Sequence, residues 1–168
     1  MNQNASIVLI GNPNCGKTTL FNALTGSRQR VGNWPGVTVE RKTGNYRHAD
    51  LDIEIIDLPG MYNLESSGTS DAIDEDIARE FLHKGEYDTI VNVVDASSLA
   101  RGLFLSTQLL DLDVPLIVVL NMTDVAHRQG IHLDPSRLSE ALGCPVVPMV
   151  ASRREGLGIL EDVIEIVV

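Results

Sequence analysis

The chain has 168 residues, of which 43% are hydrophobic and 21% are charged, and its formal net charge at pH 7 is −10. This length and composition indicate one soluble globular domain with a single substantial core. The acidic balance disfavours nucleic acid and anionic membrane surfaces as partners. No apolar run approaches the roughly 20 residues that span a bilayer. The two cysteines, Cys15 and Cys144, show no disulfide or metal-binding spacing, which favours a reducing compartment.

The first recognisable unit is a strand, a glycine-containing loop and the start of a helix. Residues 7–10 form an apolar run within a strand predicted at 6–10, and residues 11–18 read G-x-x-x-x-G-K-T. In this context the loop amides and the helix N-terminus face an anionic diphosphate. Gly16 lets the backbone approach closely, Lys17 reaches the β- and γ-phosphates, and the Thr18 hydroxyl can ligate Mg²⁺. The predicted nucleoside triphosphate site therefore includes Gly11, Asn12, Pro13, Asn14, Cys15, Gly16, Lys17, Thr18 and Thr19.

A loop and a β-hairpin follow the first helix, which is predicted over residues 17–25. Glycine and proline residues predict a long loop at 27–35, and two β-rich runs, 37–47 and 51–56, predict a hairpin. The Thr38 hydroxyl can ligate Mg²⁺ while its amide bonds the γ-phosphate, although threonine is also common at strand starts. The backbone of Gly36 and Val37 is expected to line the same site.

The D-x-P-G sequence at 57–60 closes the third predicted strand. Asp57 can hold the water shell of Mg²⁺, and the Gly60 amide can sense the γ-phosphate. An ordinary turn is the alternative interpretation. With a phosphate loop upstream, the pattern favours two switch segments, one at Thr38 and one at 57–60, that loss of the γ-phosphate would release.

The rest of the chain alternates helices and strands. Residues 63–70 are polar and stay unassigned. Helices are predicted at 71–84, 99–112, 135–142 and from 157. Strands are predicted at 89–94, 116–120 and 146–150. The alternation predicts an α/β fold with a mainly parallel sheet, one antiparallel edge strand and helices on both faces. The chain ends abruptly in apolar residues, so we expect a single domain, 1–168, taken from a longer protein.

The strand at 116–120 ends in N-M-T-D, residues 121–124. A carboxylate at this position accepts two hydrogen bonds from guanine, and adenine offers no such donor pair, so Asp124 predicts GTP rather than ATP. A helix N-cap is the alternative role for Asp124. We expect Asn121 to join this loop to the phosphate loop. In the loop after the last strand, which includes Ala151, the Ser152 amide can approach guanine O6; a simple strand-to-helix connection is the alternative there.

Taken together, these motifs resemble the translation-factor-type small GTPases, which have the Ras-like P-loop fold. The narrower resemblance is to the N-terminal cytosolic GTPase domain of the ferrous iron transport protein B family. It rests on G-N-P-N-C-G-K-T-T-L-F-N at 11–22, R-V-G-N-W-P-G-V-T-V-E at 30–40, D-L-P-G at 57–60 followed by Tyr62, N-V-V-D-A at 92–96 and N-M-T-D at 121–124.

The resemblance implies a GTPase that binds GTP or GDP with Mg²⁺, in the cytosolic part of a bacterial inner-membrane protein for Fe²⁺ uptake. A helical GDP-dissociation-inhibitor-like domain and a membrane region would follow in the same polypeptide, and the full-length protein could form a homo-oligomer. Family members are activated by K⁺. The resemblance assigns a K⁺ ligand to Asn14, with backbone carbonyls near Gly32 and Trp34, and implies a catalytic set of Asn14, Lys17, Thr38 and Gly60.

Three positions depart from related patterns. Met61 stands where Ras-like enzymes carry a water-orienting glutamine, and a thioether cannot orient that water, so we expect slow intrinsic hydrolysis. Met122 replaces the usual lysine; it can pack over the base without adding a charge, which predicts modest nucleotide affinity. Cys15 replaces a serine and is either inert or, beside Lys17, a reactive thiol.

Two other functions remain open at this point. A ribosome- or tRNA-associated bacterial GTPase can share the N-x-x-D motif and lack the glutamine, although the net charge of −10 weighs against an RNA partner. A nucleotide-dependent binding module with negligible hydrolysis is the second, because the water-positioning residue is absent.

Overall fold

The computed structural model describes residues 3–65 and 73–168. Its described strands form one sheet: β1 (Gln3–Gly11), β2 (Gln29–Asn33), β3 (Glu40–His48), β4 (Leu51–Asp57), β5 (Thr89–Asp95), β6 (Leu116–Asn121) and β7 (Val146–Pro148). Its described α-helices are α1 (Lys17–Thr25), α2 (Ile73–Lys84), α3 (Leu99–Leu109), α4 (Thr123–Arg128), α5 (Pro135–Leu142) and α6 (Leu157–Val167). None of the described helices is long and apolar enough to cross a bilayer.

The strands lie in the order β2-β3-β4-β1-β5-β6-β7. β1 pairs in parallel with β4 and β5, and the parallel pairing continues through β6 to β7. β3 runs antiparallel to both β2 and β4. The predicted α/β fold, with a mainly parallel sheet and antiparallel pairing at one edge, is therefore confirmed.

The central parallel strands are buried on both faces, as expected where helices cover the sheet. β6 is buried along its whole length, and β5 is buried at all positions except its last. One apolar cluster packs α1 and α6 on the sheet through Phe21 and Leu160, and a second packs α2 and α3 on it through Leu82 and Leu105. Burial of large apolar side chains at this scale, about 25 cal/mol per Å² removed from water, is the main stabilising contribution.

Two elements differ from the sequence predictions. The predicted loop at 27–35 contains β2, which pairs with β3 at the edge of the sheet. Four of the five β2 residues are exposed and Val31 is 63% exposed, so no apolar alternation marked the strand. The predicted strand at 37–47 accordingly begins only at Glu40. Helix α4 was missed because it has only six residues and follows a left-handed Met122, with φ of 60°.

Other element boundaries shift by a few residues. The helix predicted to reach 112 ends at Leu109, and the strand predicted to reach 150 ends at Pro148. Asp134 caps α5 as expected, accepting from the backbone N–H groups of Ser136 and Arg137. Part of the unassigned segment, 66–70, and the first two residues of the predicted helix at 71–84 lie outside the described residues.

The carboxyl ends of four strands meet at one edge of the sheet. The pairing places Leu9 beside Asp57, Gly11 beside Val93, and Asp95 beside Asn121. The loops that follow β1, β4 and β6 therefore open on the same crevice, where ligands bind in open α/β sheets.

Candidate functional site

The loop between β1 and α1 is shaped by two left-handed residues. Asn14 has a φ of 65° and Gly16 a φ of 90°. A Cβ on Gly16 would lie 2.1 Å from Asn121 Nδ2, so a larger residue would collide with that side chain as well as strain the backbone. The loop turns its free amides and the first turn of α1 toward the crevice, which is the arrangement that binds phosphate groups.

A cavity of about 530 Å³ lies along this loop. Its lining combines the phosphate loop with groups from three other elements: Asn12, Pro13, Asn14, Gly16, Lys17, Thr18, Thr19, Gly60, Asp74 and Met122. All of these except Asp74 were predicted as site residues. Asp74 lies in the acidic first turn of α2, far away in sequence, and no motif marked it.

Lys17 and Asp57 form an ion pair at the inner end of the cavity. The Lys17 ammonium donates to Asp57 Oδ1, and the two side chains are only 12% and 9% exposed. A smaller cavity of about 200 Å³, lined among others by Lys17, Asp57 and Pro59, adjoins this pair. An ammonium group and a carboxylate therefore lie next to each other with little solvent screening.

The turn after β4 is fastened to β1 by its backbone. Leu58 N donates to Leu9 O at 3.1 Å, and Met61 N donates to Gly11 O at 3.0 Å. Gly60 lies against Pro13, because a Cβ on it would be 3.2 Å from the Pro13 nitrogen. The Met61 side chain is completely buried in the cluster under α2 and α3. It therefore points away from the cavity.

Asn121 connects the loop after β6 to two other loops. Its Nδ2 donates to the Cys15 carbonyl at 3.0 Å, and its Oδ1 accepts from Ala151 N at 2.9 Å. The predicted link between Asn121 and the phosphate loop is therefore present. It extends to the short 3₁₀ turn Ala151–Arg153, which also holds the exposed Ser152.

The Asp124 carboxylate lies one turn further along. It is in the first turn of α4, whose N-cap is Met122, so the N-cap interpretation of Asp124 is wrong. Its Oδ2 is 3.6 Å from Arg128 Nη2 and 3.8 Å from Arg153 Nη2, and the side chain is 23% exposed. Because these arginines are mostly exposed, the pairs leave the carboxylate available to hydrogen-bond donors on a ligand.

Residues 32–38 line neither cavity, although Val39, which follows Thr38 directly, lines the smaller one. Trp34 N donates to Val39 O at 2.9 Å and Val37 N to Trp34 O at 3.2 Å, which closes a turn that leaves Thr38 and Gly36 exposed. Neither cavity is lined by residues 32–38 in the described part of the chain.

Trp34 fixes this segment to the second core cluster. Its ring meets Phe81 edge-on at a centroid distance of 5.4 Å, and the Arg41 guanidinium lies 4.8 Å from its centre. Gly32 lies in the exposed strand β2. The structure thus brings together the phosphate loop, Asp57 with Gly60, and the loop after β6, whereas Gly32, Trp34, Gly36, Val37 and Thr38 line neither of the two cavities.

Cys15 is buried beneath the phosphate loop. Burial raises the pKa of its thiol, and this effect outweighs the opposing influence of the Lys17 backbone N–H and ammonium group. A thiol that stays protonated is a poor nucleophile. Of the two interpretations of Cys15 from the sequence, the structure favours the inert one.

A phosphate loop leading into a helix, with an N-x-x-D loop bonded to it at the carboxyl edge of this sheet, defines a P-loop guanine nucleotide-binding (G) domain. The family model of ferrous iron transport protein B matches residues 5–164. The chain belongs to that family, and the predicted family resemblance is confirmed. The family gives no support to the ribosome-associated alternative.

Individual relatives agree with this assignment. The Fe(2+) transporters FeoB of Salmonella typhimurium and Escherichia coli are each 52% identical over 160 residues, which is 95% of this chain. The chain spans only 21% of those relatives, about a fifth of their length.

Solved structures of the family have the same fold. The cytosolic domain of L. pneumophila FeoB is 49% identical, with a TM-score of 0.94, over 96% of this chain and 69% of that one. The G domain of T. maritima FeoB is 40% identical, with a TM-score of 0.89, over 97% and 98% of the two chains. The cytosolic domain of T. maritima FeoB in a GDP form is 39% identical, with a TM-score of 0.90, over 99% and 64%.

Proposed function

We propose that this chain binds GTP and GDP with Mg²⁺ and slowly hydrolyses GTP to GDP and phosphate, as the cytosolic switch domain of a bacterial inner-membrane ferrous iron transporter. The observation that carries the proposal is the Asn121 side chain, which bonds both the phosphate loop and the turn at Ala151. Groups for phosphate and for guanine are thereby held around one crevice. GDP-bound relatives of the same fold support the choice of nucleotide.

The oxygen donors around Lys17 suit Mg²⁺, which prefers hydroxyl, carboxylate and phosphate ligands. Thr18 would supply a hydroxyl ligand, and Asp57 would accept hydrogen bonds from metal-bound water. When bound there, Mg²⁺ would neutralise the negative charge that develops on the phosphates. Lys17 is paired with Asp57 in this structure, and both side chains border the smaller cavity. With nucleotide bound, the Lys17 ammonium would turn to the phosphates.

Guanine would be held at the other end of the crevice. Asp124 accepts from the two N–H donors on one guanine edge, and Met122, which lines the cavity, packs its thioether chain over the base. The backbone N–H of Ser152 would donate to guanine O6. These contacts leave adenine without matching donors, so the site favours GTP over ATP.

Hydrolysis would need the segment 32–38 to close over the cavity. In that closed arrangement, Thr38 would offer its hydroxyl to Mg²⁺ and its backbone N–H to the γ-phosphate, and Gly60 would offer its own N–H to the same group. The buried Met61 takes no part. Asn14, which lines the cavity and extends from a left-handed turn, offers an amide oxygen to K⁺ together with carbonyls near Gly32 and Trp34. The monovalent cation then adds positive charge at the phosphates.

Steady-state GTP hydrolysis in K⁺ and in Na⁺ buffer tests the proposal. We expect K⁺ to accelerate GTP hydrolysis by the unmodified chain and Asn14→Ala to abolish that acceleration. Asn45→Ala removes an exposed amide on β3 away from the cavity, and this variant should retain the acceleration. Equal slow rates in both salts would contradict cation activation. Fluorescent GDP binding by the same three proteins separates that result from a failure to bind nucleotide.

The remaining polypeptide would be the main partner of this domain. The chain spans about a fifth of its curated relatives, so we propose that residues 1–168 form one G domain joined to a helical domain and a membrane region, which can associate into a homo-oligomer. Full-length protein carrying Lys17→Ala is expected to lose Fe²⁺ uptake in a transporter-deficient strain. Undiminished uptake would show that nucleotide binding is not required.

A further inference from the structure

A histidine faces three carboxylates at the edge of the sheet opposite the nucleotide crevice. His48 ends β3 and pairs with Leu51, which in turn pairs with Gln3 at the beginning of β1. Its Nε2 is 3.0 Å from Asp162 Oδ1 and 3.6 Å from Glu165 Oε2 on α6. None of these contacts is used by the nucleotide site.

We propose that His48, Asp162 and Glu165 bind a divalent first-row transition metal ion. One imidazole nitrogen and two carboxylate oxygens, all within 4.8 Å of one another, converge on one point. Ligands that share an ion at about 2.1 Å lie roughly 3 to 4 Å apart. The two measured separations fall in that range, so the side chains need little movement to take up an ion.

The charge around His48 also favours a bound cation. Glu161, Asp162 and Glu165 lie within about one turn of α6, and like charges at spacings of three and four residues destabilise a helix. In the described part of the chain, His48 is the only group that can carry a positive charge within 4.0 Å of these three carboxylates. Even a protonated imidazole leaves a net negative charge, which a bound dication would offset.

Glu161 faces the other nitrogen of the imidazole ring. Its Oε2 lies 3.9 Å from His48 Nδ1, on the side of the ring away from Asp162. A carboxylate oxygen only accepts hydrogen bonds, so the 3.0 Å contact with Asp162 uses a proton on Nε2. An ion bound at Nε2 would take the place of that proton, and the proton on Nδ1 would then face Glu161. A carboxylate next to a histidine that binds metal through its other nitrogen is a recurrent arrangement in proteins.

A buried hydroxyl that has no partner in the described part of the chain lies on the same face of β3 as His48. Tyr46 lies two residues before His48 on the same face of β3, and its side chain belongs to the cluster under α6. The side chain is 6% exposed, and its hydroxyl has no hydrogen-bond partner among the described residues. The Tyr46 hydroxyl is therefore available to donate a hydrogen bond to water or to a carboxylate.

The donor set defines the class of ion. Imidazole with two carboxylates suits Fe²⁺, Co²⁺, Ni²⁺ and Zn²⁺, whereas Mg²⁺ and Ca²⁺ prefer oxygen ligands alone. The site is therefore chemically distinct from the Mg²⁺ position proposed at Thr18, and the two can be separated by choice of metal.

Titration with Co²⁺ tests the site directly. The chain is first saturated with GDP and millimolar Mg²⁺, and Co²⁺ binding is then followed by calorimetry and by its visible absorption spectrum, which reports the ligands. We expect one Co²⁺ per chain. Each of two variants, His48→Ala and Asp162→Asn, should weaken Co²⁺ binding at least tenfold and abolish the visible absorption of the bound ion. His83→Ala removes an exposed histidine on α2 and should change neither the affinity nor the absorption.

Unchanged Co²⁺ binding in the His48 variant would contradict the metal site. If His48 only makes an ion pair with Asp162, Co²⁺ will bind His48→Ala and the unmodified chain with the same affinity, and the proposal fails. Glu165→Gln gives a second measurement that leaves the His48–Asp162 pair in place, and it should weaken Co²⁺ binding at least tenfold. GDP affinity measured in every variant shows whether the nucleotide site and the fold are intact.

Discussion

Asn121 Nδ2 lies 3.0 Å from the carbonyl oxygen of Cys15, a residue 106 positions earlier in the chain. The amide is 3% exposed, and its oxygen accepts from Ala151 N. One buried side chain therefore sets the distance between the phosphate loop and the loops proposed to hold guanine. Because the amide satisfies a carbonyl and an N–H that have little access to water, its loss costs both stability and geometry.

Replacing Asn121 with alanine should weaken nucleotide binding and destabilise the fold together. The Cys15 carbonyl and the Ala151 N–H lose their partner, and each unsatisfied group costs about 1–3 kcal/mol. We expect GDP affinity to fall at least tenfold, measured by fluorescence titration. Urea denaturation should show the lower free energy of unfolding.

Asn92→Ala is the matched control for this prediction. Asn92 is 1% exposed and its Nδ2 donates to the Ile10 carbonyl, so it is an equally buried amide in the same sheet. It should lose comparable stability but keep GDP affinity within about threefold, because it bonds neither loop. A similar loss of affinity in both variants would mean that Asn121 acts through general stability alone.

Gly16→Ala should abolish GDP binding. The added Cβ would meet Asn121 Nδ2 at 2.1 Å and would also occupy a left-handed φ of 90°. Gly130→Ala carries only the second penalty, since its φ is 73° and a Cβ there meets nothing within 4 Å. We expect Gly130→Ala to lower the unfolding free energy by about 1 kcal/mol and to leave GDP affinity unchanged. Retained binding in Gly16→Ala would contradict the proposed role of this contact.

Asp124→Asn should change the preferred base from guanine to xanthine. An amide at this position loses one acceptor toward guanine and gains a donor that matches the extra carbonyl of xanthine. We expect at least a hundredfold weaker GDP binding and measurable binding of xanthosine diphosphate, both by competition against a fluorescent nucleotide. Asp134→Asn, which keeps a good N-cap residue on α5, should alter neither affinity.

Tyr87 should make the domain less stable at high pH. It is buried, its hydroxyl donates to the Leu82 carbonyl at 2.7 Å, and burial raises its pKa from 10.0 to about 12. Because the folded chain holds this proton more tightly, the stabilisation is complete below pH 10 and is lost as the pH rises toward 12. Its contribution to the slope is at most about 1.4 kcal/mol per pH unit.

Urea denaturation between pH 9 and 12 measures that slope. Tyr87→Phe should reduce this slope. Part of the slope should remain in that variant, because burial also raises the pKa of Tyr46. Tyr62→Phe, which removes a 38% exposed phenol, should leave the slope as it was. Parallel curves for Tyr87→Phe and the unmodified chain would contradict the assignment.

The parts of the site carried by short contiguous motifs could be predicted from sequence. A G-x-x-x-x-G-K-T loop fixes its own conformation, and the alternation of elements brings the strand ends at Asp57 and Asn121 to one edge. Strand β2 could not be predicted, because an edge strand with both faces exposed needs no apolar alternation. Asp74 could not be placed either, since its approach to the cavity depends on where α2 begins, which no local pattern specifies.

The burial of Met61 limits which substitutions evolution can accept at this position. Its side chain is enclosed by the cluster under α2 and α3, while its N–H is held by Gly11. A glutamine there would place an amide among apolar groups, at a cost of about 1–3 kcal/mol, without reaching the cavity. Restoring the Ras-like residue would thus weaken the scaffold and leave the lifetime of the triphosphate state as it was. Natural variants with a different lifetime of the triphosphate state should carry their substitutions at the exposed positions around Trp34, namely 32, 33, 35, 36 and 38, where the core imposes few constraints.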